Sequence, residues 1–317
     1  MRSSFPLSAA VIALMPLYAS AQTTAPVPPV KLSKPNGYGL KGKIAILSYA
    51  LNFVTGQRAS ANATVGVKAR AGTSLIGVDD ATMRRLANEA LADLKAQLSA
   101  AGIPLVDDAT VAQTVRTAGV ALIAGNREEN RDGGITIGSG VKKAYVSVGA
   151  DAAPLTDLYQ SAGKIGGLGM LARFGKGNAL SKPAVQLGAA FISPSLIIDF
   201  ADADARVGRT LAGGRRASVD IEPQFTIRIP SPTHIQVGQS VGIAGPTMMT
   251  LSKDIVIDAP FSSSAGASAT QSEGPYVEMT TAQAGDIVVD LPRWTALVQS
   301  AYRAYNAAIV ANLAAAR

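Results

Sequence analysis

Residues 77–107 read GVDDATMRRLANEALADLKAQLSAAGIPLVD, and this stretch decides the fold class. Met83, Leu86, Ala87, Ala90, Leu91, Leu94 and Leu98 recur every three or four residues. That spacing lays one apolar stripe along an α-helix, the mark of a helix resting on a sheet. Asp79 or Asp80 supplies the N-cap, and acids in the first turn suit the positive end of the helix dipole. Gly102 is a good left-handed stop. IPLVD (103–107) then reads as a short strand, so the pattern is helix delivered to strand.

Outward from this helix the alternation is mostly of β type. GKIAILSYALNFVT (42–55) opens the body as an apolar strand or strand pair, apolar enough for a central position. Residues 57–73 are small and polar and predict no more than an edge strand or loop. DDATVAQTVRTAG (107–119) predicts a second helix with Val111, Val115 and Ala118 on one face, ended by Gly119. VALIAG (120–125) reads as a strand, NREENRDGG (126–134) as a solvated loop, and ITIGSGVKKAYVSVGA (135–150) as renewed strand.

Residues 184–237 are strand-rich. In LIIDFADADARVGRTLAG (196–213) the chain is expected to reverse at Ala205-Arg206-Val207-Gly208, with Gly208 taking a positive φ. FTIRI (225–229) sets Phe225, Ile227 and Ile229 against Thr226 and Arg228 on the opposite face. MTLSKDIVIDAPF (249–261) is another strand candidate. SSSAGASATQSEG (262–274) is of low complexity and predicts a mobile loop. The chain closes on DLPRWTALVQSAYRAYNAAIVANLAAAR (290–317), with Pro292 in the first turn. Trp294, Leu297, Val298, Ala301, Tyr305, Ala308, Ile309 and Leu313 form its stripe. The expected class is α/β (α+β): a mixed sheet flanked by helices, a C-terminal docking helix, and flexible Gly/Ser-rich loops.

The N-terminus carries a compartment signal. Arg2, the apolar run PLSAAVIALMPLY (6–18) and the small residues Ala19-Ser20-Ala21 predict a secretory signal peptide, residues 1–21, cleaved after Ala21. The run is shorter than the ~20 residues of a spanning helix. A Pro-rich linker follows over 22–40. One α/β domain is expected over 41–317, with a subdivision near 150–185 as the alternative. The chain has no cysteine, so an exported product folds without disulfides or thiolate metal sites. The expected localisation is periplasmic or secreted.

The formal charge is +7, but no run exceeds two adjacent bases, and aromatic residues make up 5%. That combination argues against nucleic-acid binding. No later segment is long and apolar enough for a transmembrane helix.

Four features invite a chemical reading. In AGKIGGLGMLARFGKGN (162–178), Gly167-x-Gly169-x-x-Ala172 loosely matches a dinucleotide fingerprint, but no strand precedes it and its glycines make a poor helix. No Gly-Lys-Ser/Thr is present, so it is no P-loop. The segment reads instead as a contact loop for a partner or membrane surface, through Leu168, Met170, Leu171, Arg173, Phe174 and Lys176. Asp199, Asp202 and Asp204 are a candidate set of hard-oxygen ligands for Ca²⁺. They lack the Asp-x-Asp-x-Asp-Gly spacing, and Asp199 would oppose the other two on a strand, so they read better as turn acids balanced by Arg206 and Arg209. His234, the sole histidine, is a candidate general base, but Ser195 and Ser231 lack a nucleophile-elbow context. The pairs Asp79-Asp80 and Asp107-Asp108 are accounted for by helix capping, and Glu128-Glu129 by solvation.

The order of KIAILSY (43–49), LANEALADLKAQLSAAGIPLVD (86–107), the hairpin IIDFADADARVGRTL (197–211) and a closing helix resembles the periplasmic domain of the curli-secretion-channel family and its exported relatives. The likeness covers about half of the chain and implies an α/β fold in the cell envelope. That family anchors through a lipidated cysteine, which this chain lacks, and its hairpin carries an acid before a Thr-Gly turn. Its channel members insert amphipathic hairpins into the outer membrane. The alternating segments here are short against the ~9–11 residues of a spanning strand. No functional residue is carried over. The expected function is that of a non-enzymatic envelope accessory or assembly protein, acting by protein–protein contact without a cofactor. A homo-oligomer and peripheral membrane contact stay open. Two rivals also stand: a hydrolase with dispersed carboxylates or His234, and a subunit of an oligomeric outer-membrane pore.

Overall fold

The computed structural model describes residues 29–33, 42–63, 67–136, 140–158, 179–210, 213–236, 247–264, 266–273, 278–283 and 285–317. The predicted leader, most of the linker and the glycine-rich contact loop lie outside them. The architecture is α/β: a mixed sheet with helices packed on it.

The chain enters through β1 (Lys43–Ile46), β2 (Ala50–Asn62) and β3 (Lys68–Ile76). Helix α1 (Asp80–Ala100) follows, with Asp79 as the N-cap accepting from the Thr82 amide at 2.8 Å. All seven residues of its predicted stripe are buried. α2 (Asp108–Thr117) is capped by Asp107 in the same way and buries Val111 and Val115. Next come β4 (Arg127–Thr136) and β5 (Val141–Gly149). The short α3 (Ser181–Leu187) precedes the long hairpin β6 (Ala189–Arg209) and β7 (Arg215–Arg228). β8 (Thr233–Gln236), β9 (Thr247–Met249), β10 (Ile255–Ile257), β11 (Ala267–Glu273), β12 (Glu278–Gln283) and β13 (Ile287–Val288) lead to α4 (Leu291–Ala315).

The main path of the sheet is β12-β11-β7-β6-β2-β3-β13. α1 and α4 lie against each other on it, and the stripe of α4 is buried as predicted. Trp294 meets Phe53 of β2 with ring centroids 5.6 Å apart.

The sheet forks. The first residues of β2 run parallel to β6, from Ala50↔Ser195 to Phe53↔Ile198, with β5 antiparallel on the other side. The register of β2 against β5 then shifts between Val54 and Gly56, and β2 continues with β3 from Gly56↔Ser74 to Asn62↔Lys68. The register of β6 against β7 shifts between Asp199 and Ala201, and β6 continues with β7 to Arg209↔Arg215. Past these two points β5-β2-β3 and β6-β7-β11 form facing layers. Their inner faces are small: Ala59, Ala61 and Ala69 on one side, Ala217, Val219 and Ala269 on the other, all in one apolar cluster. Small side chains let the two backbones approach closely.

Several expectations are corrected. Residues 57–62 and 68–73 are paired central strands, not an edge or loop, because alanine alternation buries a face that hydropathy scarcely registers. Residues 127–134 of NREENRDGG lie within β4, which pairs with β5 through Arg127–Asn130 and again at Ile135 and Thr136. SSSAGASATQSEG contains β11, hydrogen-bonded between β7 and β12. IPLVD and VALIAG contribute single bridges, Ile44↔Leu105 and Leu122↔Thr156, in place of strands. Residues 184–187 are the end of α3. The hairpin does not reverse at Gly208: β6 runs on to Arg209, and the positive φ belongs to Gly213, at +80°.

Candidate functional site

The fork is held by a buried ionic cluster. Asp199 is 0% exposed, Gln57 1%, Lys143 4% and Arg228 8%. The cause is local. A register shift takes backbone groups out of the ladder, and in the core these need partners. Asp199 Oδ1 accepts from the Phe200 amide at 2.8 Å, and Gln57 Nε2 donates to Asp199 Oδ1 and to the Ala201 carbonyl, each at 2.7 Å. Arg228 Nη2 donates to the same carbonyl at 3.2 Å.

The charges are then matched. Lys143 Nζ donates to Asp199 Oδ2, and Arg228 Nε donates to the same oxygen at 2.8 Å. The remaining guanidinium nitrogens reach Asp254 at 2.7 Å and Asp202 at 3.2 Å. Burial alone would lower the pKa of Arg228. The Asp199 and Asp254 carboxylates more than offset it and raise the pKa above its ordinary value, so the guanidinium stays charged. Each charged group of the cluster thus has a partner within the fold.

The three candidate acids are divided by this arrangement. One guanidinium, that of Arg228, reaches both the buried Asp199 and the exposed Asp202. Asp204 pairs with Arg206 on the exposed arm instead. Both Asp199 oxygens are already taken by N–H donors of Gln57, Phe200, Lys143 and Arg228, which occupy the directions a metal ion would need. Sequence reasoning missed Lys143, Arg228, Gln57 and Asp254. The usable signal was the charge in FTIRI: Arg228 and Thr226 are both buried, so that strand has two buried faces and not one.

His234 lies on β8, half-buried, between Ser193 of β6 and Met248 of β9 in the ladder. The two candidate serines are engaged elsewhere. Ser195 Oγ accepts from Asn52 Nδ2 at 2.9 Å. Ser231 Oγ accepts from the Ile197 amide at 3.0 Å and donates to the Arg228 carbonyl. Leu168, Met170, Leu171, Arg173, Phe174 and Lys176 lie outside the described residues.

A second buried network ties the helices to the sheet. Tyr49 donates to Asn306 Oδ1 at 2.7 Å, and Asn306 Nδ2 donates to the Ala90 carbonyl at 2.9 Å and to Asp93 at 2.8 Å. Tyr305 reaches the Ser231 carbonyl at 2.8 Å and the Thr233 hydroxyl at 2.9 Å.

Several strands have a single partner among the described residues, and β12 is one of these open edges. β12 pairs with β11 alone among the described residues, and Thr280–Gln283 are exposed whichever way their side chains point. Among the described residues no helix is long and apolar enough to cross a membrane. No family model, curated protein or solved structure matches this chain.

Proposed function

We propose that this is an exported protein of the cell envelope that works without catalysis, by binding another envelope protein along β12. The open edge of β12 carries this reading. An unpaired strand edge offers a row of N–H and C=O groups that a partner's extended segment satisfies by strand addition. The thinning of β12 to a polar, two-sided strand gives little else to hold it, so a partner strand is its natural complement. The inward turn of the strongest charges is in keeping with a scaffold. The signal-peptide pattern of residues 1–21 supports export, and the resemblance to curli-secretion-channel periplasmic domains supports an envelope setting.

The test places a photo-crosslinking residue at Thr281 in cells and compares it with one at Gln113 on the exposed side of α2. A discrete adduct at Thr281 and none at Gln113 is expected, on a protein from the envelope fraction whose N-terminal residue is Gln22. Equal labelling at both positions, or a chain that keeps Met1 in the cytosol, contradicts the proposal.

A further inference from the structure

The outer face of β5-β2-β3 carries a polar groove of about 400 Å³. Its floor follows from strand alternation. Gln57, Thr73 and Lys143 point inward and are buried, so Gly56, Arg58, Gly72, Ser74, Lys142 and Ala144 face out. In register, Ala144, Gly56 and Ser74 form one row across the three strands, and Lys142, Arg58 and Gly72 the next.

Two costs are built into this face. Arg58 and Lys142 stand directly opposite each other on neighbouring strands, where like charges repel. Neither has an acidic or hydrogen-bonding partner among the described residues. Glu129 of β4 also lines the groove, and its carboxylate pairs with Arg127 at 3.3 Å. Gly72 sits in the interior of a strand, where glycine is unfavourable. Nothing in the fold demands it. Its φ is not in the left-handed region, and an added Cβ would meet the Gln57 carbonyl at 3.4 Å and Arg58 Cγ at 3.5 Å, ordinary contacts. Gly56, at the register shift, would likewise accept a Cβ, at 3.6 Å from that of Ala144. What both glycines do is keep the groove open beside two cations that have no charge partner among the described residues.

We infer that this groove binds a small polar anion, with its phosphate or carboxylate group held between Arg58 and Lys142 over the bare backbone of Gly56 and Gly72. An oxyanion there removes the cross-strand repulsion through charge-assisted hydrogen bonds. The groove is of a size that suits a small organic molecule. The inference is independent of the β12 contact.

The experiment follows backbone amide resonances during titration with inorganic phosphate, a sugar phosphate and citrate, which separate the two anion classes. Saturable shifts centred on Gly56 and Gly72 are expected with at least one of them. Arg58→Gln/Lys142→Gln is expected to weaken binding by about tenfold or more while leaving the melting temperature equal or higher. Gly72→Val keeps both charges and fills the groove, and is expected to lose binding as well. Arg215→Gln/Arg216→Gln, at the far end of the β6–β7 arm, is expected to bind like wild type. Shifts that do not saturate, that miss Gly56 and Gly72, or that fall as much in the Arg215/Arg216 variant as in the Arg58/Lys142 variant overturn the inference.

Discussion

Arg228 Nε lies 2.8 Å from Asp199 Oδ2 in the core, at the point where β6 leaves β2. Removing the carboxylate leaves Lys143 and Arg228 buried beside each other without their shared anion. Breaking a buried pair on one side costs about 3–5 kcal/mol. Asp199→Ala is therefore expected to lose stability on that scale in urea unfolding. Lys143→Met leaves Asp199 with Arg228, Gln57 and the Phe200 amide, and is expected to cost less. The reverse order would contradict the placement of Asp199 at the centre of the cluster.

Tyr49 and Tyr305 give a pH dependence. Burial raises both phenol pKa values above the ordinary range. Tyr305 adds to the effect at Tyr49, and the bond to Asn306 only partly offsets it. An acid whose folded pKa is raised keeps its proton longer when folded than when unfolded. Its contribution is then fully present below the unfolded value of about 10 and is lost as the pH rises beyond it. Stability is expected to fall on the alkaline side of pH 10, with phenolate absorbance appearing together with unfolding. Tyr49→Phe is expected to make that fall shallower. Normal titration of both tyrosines in the folded state would refute their burial.

Gly266 has φ +85°, and an added Cβ would lie 2.0 Å from the Ile221 carbonyl oxygen. Gly208, in the strand of the arm, has nothing within 4 Å of such a Cβ. Gly266→Ala is expected to cost more than about 1 kcal/mol, and Gly208→Ala to be neutral or to stabilise by ~0.4–1 kcal/mol. Thermal melts of the two variants check this. A Gly266→Ala protein as stable as wild type would place β11 elsewhere.

Trp294 anchors α4 against Phe53. Trp294→Ala is expected to cost about 3–5 kcal/mol, read from denaturant unfolding. A loss below about 1 kcal/mol would mean that α4 does not dock on the sheet.

The helices were legible because their stripes use large apolar residues: every residue named for α1 and α4 is buried. The inner faces of β2, β3 and β11 were not, since Ala59, Ala61, Ala69 and Ala269 alternate with polar and charged residues and register as loop. β4 was missed because its glycines and charges mimic a turn. The ionic cluster was hidden for another reason. Asp199 and Arg228 are 29 residues apart and Lys143 is 56 from Asp199, and only two register shifts bring them together.

Amide hydrogen exchange on β12, in the purified chain and again with envelope extract from its own cells, is the most direct test of strand addition. The predicted result is rapid exchange over residues 280–283 in the purified chain and protection once the extract is added, with α2 unchanged. Slow exchange there in the purified chain, or no change on adding the extract, would contradict it.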